Sequence, residues 1–216
     1  MRKNFNEEIK RLKNEMLKMG SMVEEAIRKS IKALENQDLK LAGQVLEQDD
    51  EIDKYEIELE EMCTKLIALQ QPVARDLRTI IVISKLATDL ERIGDHACNI
   101  ASQALHIGKE EFIKPLIDIP RMTEIVTTRL RKSLDAFVKQ DVELAAVVAK
   151  EDEKVDIFDE QILRELLTFM MEDPSTIKQA IALMFISRFL ERIGDHSTNI
   201  CERVIYMKTG EWDAEY

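Results

Sequence analysis

The chain has 216 residues, 45% of them hydrophobic and 34% charged, with 6 Gly and 4 Pro. That is too apolar for a disordered chain and too poor in turn residues for an all-β fold, so an all-α protein is expected. A formal charge of −11 removes the Lys/Arg surplus on which phosphate-backbone binding depends, and a nucleic-acid partner is not expected.

Apolar residues recur at three- and four-residue spacing over long stretches, and six helices are expected, at about 5–36, 39–70, 76–107, 120–139, 142–171 and 176–208. Gln71-Pro72, the segment from Gly108 to Pro120, and Asp173-Pro174 punctuate them. No apolar run approaches the ~20 residues of a spanning helix. Cys63, Cys98 and Cys201 are odd in number, widely spaced and without a C-x-x-C pair. With no secretory signal ahead of them, they point to a reducing, cytoplasmic setting. Met16, Met19, Met22 and Met170-Met171 read as core filler.

The chain repeats itself. LERIGDHACNI at 90–100 recurs as LERIGDHSTNI at 190–200, nine of eleven positions being identical at an offset of 100. Upstream the offset is 103: Asp49 answers Asp152, Asp53 answers Asp156, and Tyr55 answers Phe158. Each half is thus three helices, with a shorter connection between the second and third helix of the second half. Two pseudo-symmetric three-helix bundles are expected, at 1–110 and 118–216.

At 100° per residue, Glu91 and Asp95 lie about 40° apart, opposite Leu90, Ile93, Ala97 and Ile100 on the core side. On the second helix Asp49, Asp53, Glu56 and Glu60 form a strip opposite Ile52, Tyr55, Leu59 and Met62. The second half repeats this with Asp152, Asp156 and Asp159, and with Glu191 and Asp195. Like charges at i, i+4 cost roughly 0.2–0.5 kcal/mol per pair, a sign that a cation reverses. Oxygen-rich clusters from two helices suit Mg²⁺, Mn²⁺ or iron, whereas tetrahedral zinc favours Cys and His. The competing reading is a solvated acidic face. The same acids recur in both halves while neighbours drift, Thr88-Asp89 against Arg188-Phe189 and Ala97-Cys98 against Ser197-Thr198.

Gly94 and Gly194 each cost about 1 kcal/mol inside a helix. Close approach of a neighbouring helix accounts for them, with backbone access for a ligand as the alternative. His96 and His196 lie between the acidic strip and the core, placed for an inter-helix hydrogen bond or for metal ligation. Arg92 and Arg192 are placed to neutralise nearby acids such as Asp89, or to hold a phosphate or carboxylate. There is no Gly-rich phosphate loop, no G-x-S-x-G and no H-E-x-x-H. The order Glu-x-x-x-Asp-His differs from the Glu-x-x-His of di-iron bundles, so no enzyme is expected.

The run Gln71-Pro72-Val73-Ala74-Arg75-Asp76-Leu77-Arg78, the run from Asp89 to Ile100 and its repeat resemble those of the PhoU family, the phosphate-uptake regulators associated with phosphate-specific ABC transport. The resemblance spans nearly the full length. It implies a twofold repeat of three-helix bundles, often dimeric, with metal ions (iron, manganese, magnesium or zinc) at the acidic motifs. Carried over by position, Asp49, Asp53, Glu91, Asp95, Asp152, Asp156, Glu191 and Asp195 are the candidate ligands. Arg75, Asp76 and Arg78 are the partner-binding candidates, confined to the first half because Pro174-Ser175-Thr176-Ile177-Lys178 replaces that segment in the second. The implied function is negative regulation of phosphate uptake and of the phosphate regulon by a cytoplasmic adaptor. The implied partners are the transporter's ATPase subunit and the phosphate-sensing histidine kinase, met at the inner face of the membrane. The alternative is a carboxylate-bridged metal store or di-iron-type helical metalloprotein.

Overall fold

A computed structural model describes residues 2–151 and 153–212, with side chains from Phe5 onward. Asp152 therefore lies outside the described residues. The helices are α1 (Arg2–Glu35), α2 (Leu39–Gln70), α3 (Ala74–Ile107), α4 (Asp118–Lys139), α5 (Val142–Lys150), α6 (Glu153–Glu172) and α7 (Ile177–Thr209), with a 3-10 turn at Pro174–Thr176 before α7. No strand occurs among the described residues.

The caps repeat as the sequence does. Asp38 accepts from the backbone N–H groups of Lys40 and Leu41 at 3.1 and 3.0 Å, and Asp141, its counterpart at an offset of 103, accepts from Leu144 at 2.9 Å. Gly108 and Gly210 end α3 and α7 at positive φ, 68° and 87°, where a side chain is strained. The start of α4 is two residues earlier than expected, because Pro120 falls in a first turn whose N–H groups have no helical partner anyway.

One expected helix, 142–171, is divided. At Glu151 ψ is 3°, and its N–H bonds to Val148 while its own carbonyl takes Lys154 N–H, both three residues away, so the helix tightens and breaks. Lys132 and Lys154 hold the Glu151 carboxylate at 3.5 and 3.4 Å. Ala145, Val148 and Val155 stay fully buried on both sides of the break, so the apolar pattern runs through it unaltered.

At the centre α3 packs along α7, the two running antiparallel: Arg78 meets Tyr206 and His96 meets Phe189. The helices α1 and α2 cover α3, the helices α4, α5 and α6 cover α7, and α1 also packs on α4. One continuous apolar core results, containing Leu90, Ile93, Ala97 and Ile100 as the wheel places them, and Met16 and Met19. Met171 departs from its expected core role: it is 79% exposed, at the end of α6 where no helix covers it.

Candidate metal centre

The two acidic strips of the first half meet only if α2 lies against α3, and Gly94 shows how they do. A Cβ there would sit 3.2 Å from both Cδ1 and Cγ2 of Ile52, so the absent side chain is what lets α2 close on α3. The approach brings Asp49 and Asp53 of α2 to Asp95 of α3, one carboxylate oxygen of each lying within 4.8 Å of the others. Oδ1 of Asp49 and Oδ1 of Asp53 are shut off from solvent and have no hydrogen-bond partner, the weakly donating Cys98 thiol being the group beside Asp49. Such orphaned acceptors are costly unless a cation or donor reaches them.

Glu91 joins the seam one turn back. Its carboxylate is covered by α2, 15% exposed, with Arg92 Nε at 3.4 Å. Burial first and the Asp95 charge second push it from 4.5 up to about 7. Asp53 is likewise raised, by burial and then by the Asp49 and Asp95 carboxylates. Arg92 Nη1 donates to Asp95 Oδ2 at 3.0 Å and is the one basic group among the described ion pairs of this cluster. The donor set is all carboxylate oxygen, which fits a hard cation. Cys98 nearby is buried, its Sγ 3.6 Å from the Val45 carbonyl, and burial raises its thiol further from ionisation.

The second seam is built differently. Glu191 is 10% exposed, and burial followed by the Asp195 charge raises it to about 6. Arg192 Nη1 donates to Asp195 Oδ2 at 3.0 Å, as Arg92 does to Asp95. A second guanidinium enters here: Arg188 Nη1 donates to Glu191 Oε1 at 2.7 Å and lies 3.8 Å from Asp159 Oδ2 on α6. Asp159 also accepts from Ser187 Oγ at 2.6 Å. Asp156 stands in the first turn of α6.

Neither histidine enters a seam. His196 Nδ1 lies 3.1 Å from Asp89 Oδ1 across the α3–α7 contact, the inter-helix alternative, and Arg203 Nε donates to Asp89 Oδ2 at 2.7 Å. Asp89 therefore pairs with Arg203 and His196, and Arg92 with Asp95 and Glu91 in place of Asp89, because the α3 turn carries Asp89 toward α7. On the other side of the pseudo-axis His96 stacks on Phe189, 5.9 Å between centroids, and burial followed by neighbouring His196 lowers it to about 4. Asp89 and Arg203 were absent from the expected site, although the repeat holds a trace of them: Phe189 and Gln103 stand at the matching positions.

Of the partner-binding candidates, Arg75 and Asp76 are exposed at the start of α3, Arg75 Nη2 donating to Gln140 Oε1 at 3.3 Å. Arg78 is turned inward. Its guanidinium lies 5.6 Å from the Tyr206 ring centre and against Gly210 at the C-terminal end of α7, where a cation meets the helix dipole.

Fold and seam define a class: helical scaffolds built from a duplicated three-helix unit with a carboxylate seam between its second and third helices. The PhoU domain model matches residues 16–104 and 119–204, and the chain belongs to the PhoU family. A Clostridium acetobutylicum protein named phosphate-specific transport system accessory protein PhoU homolog is 41% identical over 97% of this chain and 96% of its own length. The Escherichia coli phosphate-specific transport system accessory protein PhoU is 39% identical over 96% of this chain and 86% of its own. The crystal structure of PhoU from Pseudomonas aeruginosa superposes with a TM-score of 0.91 at 40% identity, over 96% of this chain and 100% of that one.

Proposed function

We propose that this chain is the accessory protein of a phosphate-specific transport system, restraining phosphate uptake when phosphate is abundant and keeping the phosphate regulon silent. The observation that carries the reading is full-length kinship, 41% and 39% identity, to proteins named as accessory proteins of phosphate-specific transport systems; restraint of uptake and of the regulon is the further step proposed. In this reading the two repeats, 1–110 and 118–216, form one cytoplasmic scaffold, working as a homodimer. It docks on the transporter's ATPase subunit and on the phosphate-sensing histidine kinase, and so reaches the membrane through partners. Among the described residues no helix is long and apolar enough to cross a membrane itself.

Asp49, Asp53, Glu91 and Asp95 would hold a divalent or trivalent cation, with orphaned oxygens favouring magnesium, manganese or iron over zinc. The cation supplies positive charge that relieves repulsion across the α2–α3 seam and fixes the spacing of the two helices. The metal-store alternative is less well supported, since His96 and His196 face the α3–α7 contact, away from the carboxylates.

The test is alkaline phosphatase output in phosphate-rich medium, in the host with and without this gene. Derepression on deletion, reversed by the wild-type chain, is the expected result. Unchanged output on deletion contradicts the regulatory reading.

A further inference from the structure

The repeat leads one to expect two equivalent seams, and among the positions that differ one brings a charge into the second seam. Glu91, Arg92 and Asp95 recur as Glu191, Arg192 and Asp195, whereas Thr88 becomes Arg188. Thr88 Oγ1 turns back to the Ser84 carbonyl at 3.5 Å and brings no charge. Arg188 spans the second seam from α7 to α6, 2.7 Å from Glu191 and 3.8 Å from Asp159. Arg92 and Arg192 sit identically on Asp95 and Asp195, both at 3.0 Å, so they do not account for the difference.

Resting on the cation reading above, we infer that Arg188 is a built-in counter-ion of the α6–α7 seam, so that this chain takes its tightly held cation at the first seam, among Asp49, Asp53, Glu91 and Asp95, and not at the second. A guanidinium stays charged at any pH the protein meets. A divalent ion entering the second seam must compete with it for Glu191 and approach a like charge. Among the described residues no guanidinium bridges the first seam in this way, and three buried carboxylate oxygens there, Asp49 Oδ1, Asp53 Oδ1 and Glu91 Oε2, have no hydrogen-bond partner, against Glu191 Oε2 alone among the described second-seam residues. The two halves thus keep corresponding carboxylates for different ends: a cation site in the first, an inter-helix ion pair in the second.

The test is a titration of the chelator-stripped full chain with Mn²⁺, following free Mn²⁺ by its electron paramagnetic resonance signal. Wild type is expected to show one tight class, lost in Asp95→Asn and kept in Asp195→Asn. Arg188→Thr is expected to add a second class, at least about tenfold tighter than any second-seam binding in wild type. Asp195→Asn in that background removes it. Thr88→Arg supplies an independent arm, since it places the counter-ion in the first seam and is expected to weaken the tight class. Two equal classes in wild type, or an Arg188→Thr titration matching wild type, overturns the inference and leaves the cation reading standing. No binding by any variant sinks both.

Discussion

Replacing Glu91 with Gln isolates the electrostatic load of the first seam. Glu91 is 15% exposed, and its carboxyl is raised from 4.5 to about 7 by burial and by Asp95, with Arg92 opposing and Glu56 and Asp53 adding to the rise. The folded state therefore binds this proton more tightly than the unfolded chain does. The resulting stabilisation is complete below about pH 4.5 and is lost as pH rises through about 7. At 1.36 kcal/mol per pH unit, the loss is about 3 kcal/mol. Gln imitates the protonated form at every pH and carries no such loss. In urea unfolding with chelator present, Glu91→Gln is expected to gain about 3 kcal/mol over wild type between pH 4 and pH 8. Adding Mn²⁺ at pH 8 reverses the order, because wild type then has the ligand the variant lacks. Parallel pH profiles for the two proteins would refute the argument that Glu91 is charged against a penalty.

Gly94→Ala forces Ile52 to move, since the new Cβ falls 3.2 Å from it; on an Ile52→Val background the same change is expected to be better tolerated, with a coupling above about 0.5 kcal/mol in a double-mutant cycle. Asp89→Phe strips Arg203 and His196 of their shared buried partner and is expected to cost about 3 kcal/mol by urea unfolding. Adding Arg203→Gln, the residue type that the repeat carries at the matching position 103, removes the unpaired guanidinium and is expected to recover most of that loss. Cys63, Cys98 and Cys201 are all buried, with burial pushing Cys63 and Cys201 up to about 12. None is expected to react with an aromatic disulfide reagent in the native chain within the time that all react in urea. Rapid native labelling would contradict the packing around them.

The features legible from residues alone were those that repeat. Helical periodicity placed the core residues of α3, and duplication at offsets of 100 and 103 placed the acidic strips. Their meeting was not legible, because it depends on how closely α2 approaches α3, which Gly94 suggests and Ile52 decides. The break at Glu151 was hidden because the apolar period continues through it from Val148 to Val155. Asp89 was expected beside Arg92, its neighbour on one helix, but pairs with Arg203, which is 114 residues away and becomes its neighbour only through the α3–α7 contact. Arg188 looked like drift between repeats, and its weight emerges only when its distance to both Glu191 and Asp159 is known.

If the chain docks on the transporter's ATPase subunit as proposed, and the cation that fixes the α2–α3 spacing shapes the docking surface, the most direct test is the affinity of that subunit for this chain, measured by sedimentation velocity with the chain stripped of metal and then loaded with Mn²⁺. The account predicts an affinity that changes on loading for wild type and stays fixed for Asp49→Asn/Asp95→Asn. Equal affinity in both wild-type states would contradict it.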